Sequence, residues 1–104
     1  MDKFLCNVAD IPEDVGLRVP VTGKNAVSVF KVNMEVFVVD DRCTHQGASL
    51  AKYGEVRDLT VECTWHCCVF NLRDGTVLDG PCTRPLRSYP CTIEDGNVYV
   101  EDCN

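Results

Sequence analysis

The chain has 104 residues, 45% hydrophobic and 25% charged, the proportions of one ordinary globular domain rather than of a disordered chain. Sixteen acidic against ten basic residues leave a net charge of −6, which argues against nucleic acid as a partner, because phosphate neutralisation needs clustered Lys and Arg, and which serves either solubility alone or docking on a basic protein surface. The opening Met1-Asp2-Lys3-Phe4-Leu5-Cys6 has no basic region followed by a long apolar run, and the apolar stretches elsewhere are strand-sized. No signal peptide and no membrane span are therefore expected, and the expected location is cytoplasmic.

Short β-branched runs broken by turn residues predict an all-β fold. In chain order, strands are expected at Phe4–Val8, Leu17–Val21, Ala26–Val32, Glu35–Asp40, Leu59–Glu62, Val69–Leu72, Thr76–Leu78, Ser88–Glu94 and Asn97–Glu101. Asp74-Gly75 and Asp95-Gly96 supply the positive φ that tight hairpin turns demand, and Asn33-Met34 is expected to turn a third hairpin. Residues 47–54 are compatible with one helical turn. The most regular patterns fill 1–40 and 86–104, predicting an antiparallel β sandwich or barrel base. Residues 41–85 carry glycines, two prolines and the residues of chemical interest, predicting a smaller lobe inserted into that base, all within one domain spanning 1–104.

The chemistry lies in two pairs. Cys43-Thr44-His45 and Cys63-Thr64-Trp65-His66 read C-x-H and C-x-x-H, and they hold the only two histidines in the chain. Each loop offers one soft thiolate and one imidazole. In a sulfide-bridged pair of irons each metal needs two protein ligands, so Cys43 and Cys63 would take one iron and His45 and His66 the other. Such mixed ligation lowers the negative charge of the site and places potentials at roughly −150 to +300 mV, against about −400 mV for all-cysteine clusters of the plant type. A tetrahedral zinc site stays open as an alternative, although zinc fingers pair like with like, C-x₂₋₄-C and H-x₃₋₅-H, which this chain does not do.

Eight cysteines in a chain of this length would suggest a disulfide scaffold in a secreted protein, but no export signal accompanies them. Cys6 and Cys91 fall in strand-like runs and are expected to be small buried hydrophobes, and Cys103 is expected to be a free terminal thiol. Cys67-Cys68 reads either as small residues packed beside a metal site or as a spare ligand or redox-sensitive thiol. Trp65, the only tryptophan, is expected to pack under its loop rather than to stand exposed as a partner anchor.

Residues 43–50 (Cys-Thr-His-Gln-Gly-Ala-Ser-Leu), Gly54-Glu55-Val56, Cys63-Thr64-Trp65-His66 with Phe70, Asp74-Gly75, residues 81–86 (Pro-Cys-Thr-Arg-Pro-Leu) and Tyr89-Pro90 resemble the Rieske-type ferredoxins of bacterial aromatic-ring-hydroxylating oxygenase systems. The resemblance implies the Rieske fold, one [2Fe–2S] cluster per chain, and a proline-containing loop near Gly80–Pro85 that closes over it. It implies electron transfer from a flavin-dependent NAD(P)H reductase to a terminal oxygenase, with transient docking near His45, Gln46, Trp65, His66 and Pro81. The respiratory members of the family tie their ligand loops by a disulfide whose cysteines would fall at Ala48 and Trp65, so that bridge is absent here. They also place a serine where this chain has Cys68, and a thiol is a weaker donor toward the cluster. A midpoint near the low end of the Rieske range is therefore expected. The free imidazole edges predict that reduction couples to proton uptake at high pH.

The remaining residues limit the function further. With both histidines committed as ligands, none is left for a mononuclear iron triad or for general-base catalysis. No G-x-G-x-x-G segment is present to bind a dinucleotide. An electron carrier, not an enzyme, is the reading, with a monomer as the simplest expectation. A Rieske-like small subunit of a reductase such as nitrite reductase, and a structural zinc-binding module, are the alternatives.

Overall fold

The computed structural model describes residues 2–21, 26–44, 47–65 and 67–101. His45, Gln46, His66 and Cys103 lie outside the described residues. The described residues form three antiparallel sheets. β1 (Asp2–Asn7), β11 (Asn97–Glu101) and β10 (Cys91–Glu94) make the first, in the order β1-β11-β10. The second runs β2 (Leu17–Val19), β3 (Val27–Val32), β4 (Glu35–Asp40), β9 (Ser88–Tyr89). The third runs β5 (Gly54–Arg57), β6 (Thr60–Cys63), β7 (Cys68–Asn71), β8 (Val77–Asp79), preceded by a single-turn helix α1 (Leu50–Tyr53).

The middle sheet is covered on both faces, which explains why β3 and β4 are almost continuously apolar. Side chains alternate along a strand. Val27, Val29 and Val38 therefore point into one core with Leu5, Cys6, Ile11, Val98 and Val100 of the first sheet and its flank. Phe30, Val32, Phe37 and Val39 point the other way, into a second core with Leu50, Val61, Phe70, Leu72, Leu86 and the cysteines 43, 63, 68 and 82. Phe30 and Phe70 are fully buried, and each such side chain stabilises the fold by about 1.5–3 kcal/mol relative to exposure. A register shift in β1 between Phe4 and Cys6 lets the consecutive Leu5 and Cys6 both enter the first core.

Two hairpins follow the turn chemistry of the sequence. Asn33-Met34 joins β3 to β4 with φ of 50° and 70°, and Asp95-Gly96 joins β10 to β11 with φ of 51° and 78°. Asp74-Gly75 does turn β7 into β8, with Gly75 at φ 78°, but not as a tight two-residue turn. It sits in the longer connection 72–76, where the Asp74 carboxylate accepts hydrogen bonds from the Thr76 amide and hydroxyl, and the Leu86 amide donates to the Gly75 carbonyl at 2.8 Å. The expected strand Ser88–Glu94 is two strands, because Pro90 has no N–H to donate. The chain leaves the middle sheet at Tyr89, which pairs with Val38, and enters the first sheet at Cys91, which pairs with Val100. β5 was not expected as a strand: its half-buried Val56 is flanked by exposed Glu55 and Arg57.

Candidate metal centre

The first ligand loop leaves β4 at Asp41. The Cys43 amide donates to the Ala48 carbonyl and the Gly47 amide to the Cys43 carbonyl, both at 2.8 Å, which closes the segment 43–48 on itself. Asp41 fastens that segment to the base. Its buried carboxylate accepts from the Ser28 hydroxyl of β3, from the Ser49 hydroxyl at 3.0 Å and from the Ala51 amide at 2.9 Å, and it pairs with Arg18 Nε at 3.4 Å. Ser49 also caps α1, accepting from the Lys52 amide at 3.3 Å. Four partners on one buried carboxylate satisfy the rule that buried charge must be paired and hydrogen-bonded. Nothing in the sequence separates Asp41 from its neighbour Asp40, which instead accepts from the Tyr89 hydroxyl.

The second loop leaves β6 at Cys63. The Cys67 amide returns to the Cys63 carbonyl at 2.9 Å, with Cys67 itself at φ 59°, where glycine is favoured. Thr64 is held by the Tyr53 carbonyl, which accepts from both its amide at 3.1 Å and its hydroxyl at 2.8 Å. Trp65 corrects the expectation of a packed side chain. It stands about half exposed, 49%, with its ring 5.1 Å from that of Tyr53. Tyr53 at the end of α1 is the platform that keeps it there. Cys67 is exposed, and a hydrogen bond to Glu62, together with that carboxylate's charge, raises its thiol pKa.

The third element is the loop at 80–86. The Thr44 hydroxyl donates to the Arg84 carbonyl at 2.7 Å, joining this loop to the first. Gly80 has φ +95°, and a Cβ there would lie 2.8 Å from the Cys68 Cα and overlap the Cys67 carbonyl. The loop is thus pressed onto the second ligand loop. Pro81 is exposed, and the next residue, Cys82, is buried.

Cys82 forms a disulfide with Cys68 across a Cα separation of 5.7 Å. Cys68 is therefore neither a small packing residue nor a thiol donor, as the sequence had suggested. Cys43 Sγ lies 3.8 Å from Cys82 Sγ, and Cys63 is the strand partner of Cys68. The two cysteines of the ligand motifs accordingly flank one buried disulfide, Cys43 at 3% exposure and Cys63 at 0%. Buried soft donors from two separate loops, with an imidazole two and three positions further along the chain, fit the mixed Cys/His ligation of a [2Fe–2S] centre. Of the strand cysteines, Cys6 is buried and Cys91 is half-buried, its thiol donating to the Val36 carbonyl at 3.4 Å. Burial raises both pKa values, with Asp10 and Cys91 adding to the rise at Cys6.

Known proteins match both the sequence and this architecture. The Rieske [2Fe–2S] domain matches residues 2–90. The ferredoxin component of the p-cumate 2,3-dioxygenase system of Pseudomonas putida is 40% identical over 97 residues, 93% of this chain and 82% of that protein. The 3-phenylpropionate/cinnamic acid dioxygenase ferredoxin subunit of Escherichia coli K12 is 36% identical over 98 residues, covering 94% and 91%. Among solved structures, the ferredoxin of Sphingomonas yanoikuyae B1 superposes with a TM-score of 0.92 at 34% identity, over 99% of this chain and 100% of that one. A chain of the complex of reduced oxygenase and oxidised ferredoxin in carbazole 1,9a-dioxygenase gives 0.87 at 30% identity, over 95% and 100%. The chain belongs to the Rieske [2Fe–2S] domain family.

Proposed function

We propose that this chain is the one-electron carrier of a multicomponent ring-hydroxylating oxygenase, taking electrons from a flavin-dependent NAD(P)H reductase and delivering them to the terminal oxygenase. Cys43, His45, Cys63 and His66 are the proposed ligands of the [2Fe–2S] cluster, which when bound cycles between two oxidation states one electron apart. The observation that carries the reading is that Cys43 and Cys63, from separate loops, are both buried at one disulfide, Cys43 through its sulfur 3.8 Å from that of Cys82 and Cys63 as the strand partner of Cys68. The relatives named as ferredoxin components of dioxygenase systems support the same role.

The chain's own residues supply position and surface. Asp41 and the Thr44 hydroxyl hold the first loop, the Tyr53 carbonyl holds the second, and Gly80 allows the third to close against it. Residues 41–85 would then form the cluster-bearing lobe on a base of 1–40 and 86–104. The exposed Trp65 and Pro81, with His66 next to Trp65 in sequence and His45 and Gln46 of the first motif, make the proposed docking tip for both reductase and oxygenase, used in turn. Transient redox contacts of this kind bury little area. A cytoplasmic setting fits a carrier fed by a nicotinamide-linked reductase. Among the described residues no helix is long and apolar enough to cross a membrane.

Full-length protein purified without oxygen should contain about two irons and two inorganic sulfides per chain. Its dithionite-reduced form should give the low-average-g resonance of mixed Cys/His ligation, and an NADH-linked flavoprotein should reduce it. Cys43→Ser and Cys63→Ser should each abolish the visible bands. A folded, colourless protein free of iron would refute the proposal.

A further inference from the structure

We propose that Cys82 is a thiol–disulfide exchange centre with two alternative partners, Cys68 and Cys43, and that in the cluster-free chain the Cys43–Cys82 form masks a cluster ligand.

The three sulfurs share one buried site. Cys43, Cys68 and Cys82 are 3%, 0% and 7% exposed, and their Sγ atoms all lie within 4.8 Å of one another. Cys68 and Cys82 are already bonded, and Cys43 Sγ is 3.8 Å from the Cys82 sulfur. A disulfide isomerises by attack of a thiolate on one of its sulfurs. Here Cys43 Sγ attacks Cys82 Sγ, the Cys43–Cys82 bond forms, and the Cys82–Cys68 bond breaks. The electron pair departs on Cys68 Sγ, which takes up the proton that Cys43 gave up. One disulfide and one thiol stand on each side, so neither an oxidant nor a reductant is consumed.

The loop carrying Cys82 need not open for this step. Thr44 is bonded to Arg84, and Gly80 rests on the backbone of Cys67 and Cys68, so Cys82 is held against both candidate partners at once. The partners are delivered by different loops, and the attack is intramolecular, with no encounter to be made in solution.

The consequence for the metal centre rests on reading Cys43 as a ligand. A sulfur committed to iron cannot attack Cys82, and a sulfur bonded to Cys82 cannot bind iron. Cluster loading and the Cys43–Cys82 bond are therefore mutually exclusive, and loading draws the chain toward the Cys68–Cys82 form because the metal binds only that one. An external dithiol that reduces the Cys43–Cys82 disulfide, becoming a disulfide itself, would release Cys43.

The test is a disulfide map. Full-length chain carrying Cys67→Gly, which removes an exposed thiol able to scramble the pattern, is prepared cluster-free without thiol reductant. It is blocked with N-ethylmaleimide in acid denaturant and digested with trypsin. Cys43, Cys68 and Cys82 then fall in different peptides, 43–52, 58–73 and 74–87. Two crosslinked species are expected, 58–73 with 74–87, its bond located at Cys68 rather than Cys63 by fragmentation, and 43–52 with 74–87, and cluster loading should remove the second. Cys68→Ser removes one of the two proposed partners of Cys82 and leaves Cys43, so assembly from iron and sulfide should be several-fold slower without a dithiol and recover with one. Cys82→Ser should assemble at one rate in both conditions. A cluster-free map with Cys43 fully alkylated, beside normal loading, would overturn the exchange while leaving Cys43 as a ligand. Exchange that persists unchanged in the iron-loaded chain would overturn the masking role and Cys43 as a ligand together.

Discussion

Asp41→Ala should be among the most costly single changes in this chain that touch no metal ligand. The carboxylate accepts from Ser28, Ser49 and Ala51 and pairs with Arg18. The Arg18 side chain is 58% exposed, so water screens that pair and its loss is worth about 0–1 kcal/mol. The hydrogen bonds weigh more. Ser28 is wholly buried, and each buried donor left without an acceptor costs about 1–3 kcal/mol. Removing the charge also relieves its desolvation, so the net loss should be about 3–5 kcal/mol, as for a broken buried ionic group. For a domain of about 100 residues each kcal/mol lowers Tm by about 4 °C or more, so a fall of at least about 12 °C is expected. Asp41→Asn keeps one carbonyl oxygen in place of Oδ1 and should lose only about 1–2 kcal/mol, the difference between a charged and a neutral acceptor. Urea titration followed by circular dichroism measures the global loss. Visible absorbance of the same samples reports the ligand loop, which should fail at lower urea than the base in Asp41→Ala. A loss under about 1 kcal/mol for alanine, or equal losses for alanine and asparagine, would refute the account of Asp41 as a hydrogen-bonded brace.

Phe70→Ala should cost about 3–5 kcal/mol in the same titration, since it opens a cavity in the core shared by the middle and third sheets. Gly80→Ala forces a Cβ onto the Cys67–Cys68 backbone at φ +95°, and the cluster should bleach faster in air than in the parent; an unchanged bleaching rate would show that the loop does not seal the site. Trp65→Ala should raise the apparent KM of the reductase–oxygenase couple for this protein about fivefold or more, as expected for an anchor worth over 1 kcal/mol, with the midpoint potential unmoved; a shifted potential would place Trp65 in the cluster environment instead. Burial, and then the hydrogen bond to Asp40, push Tyr89 up to about 12 from its ordinary 10.0. A phenol whose pKa rises on folding contributes its stability in full below the unfolded value and loses it as the pH climbs through the folded one. Stability should therefore fall between pH 10 and 12, and Tyr89→Phe should flatten that fall; identical alkaline profiles would contradict it.

What the sequence discloses of this protein follows the range over which each determinant acts. Cysteine and histidine within three positions of one another, and paired turn residues such as Asn33-Met34 and Asp95-Gly96, act locally, so spacing and positive φ are legible before any folding is known. The middle sheet is legible for a related reason: strands buried on both faces must be apolar almost throughout, and β3 and β4 are. β5 escapes because only Val56 faces a core, and Pro90 divides one apolar run between two sheets. The determinants of the metal centre that sequence reasoning missed are tertiary. Cys82 is an unremarked thiol until the loop at 80–86 folds onto Cys67 and Cys68, and it becomes a disulfide partner only there. Asp40 and Asp41 are adjacent and chemically identical, yet at the end of β4 they take different partners, one Tyr89 and the other the first ligand loop. Trp65 stands half exposed, its ring resting on that of Tyr53, which lies twelve positions earlier at the end of α1. The motif thus specifies which atoms can bind metal, and residues outside it determine whether those atoms are held in place and accessible. Two members of this family with the same four proposed ligands would therefore differ in cluster lifetime and redox behaviour through residues such as Asp41 and Cys82, which no ligand motif contains.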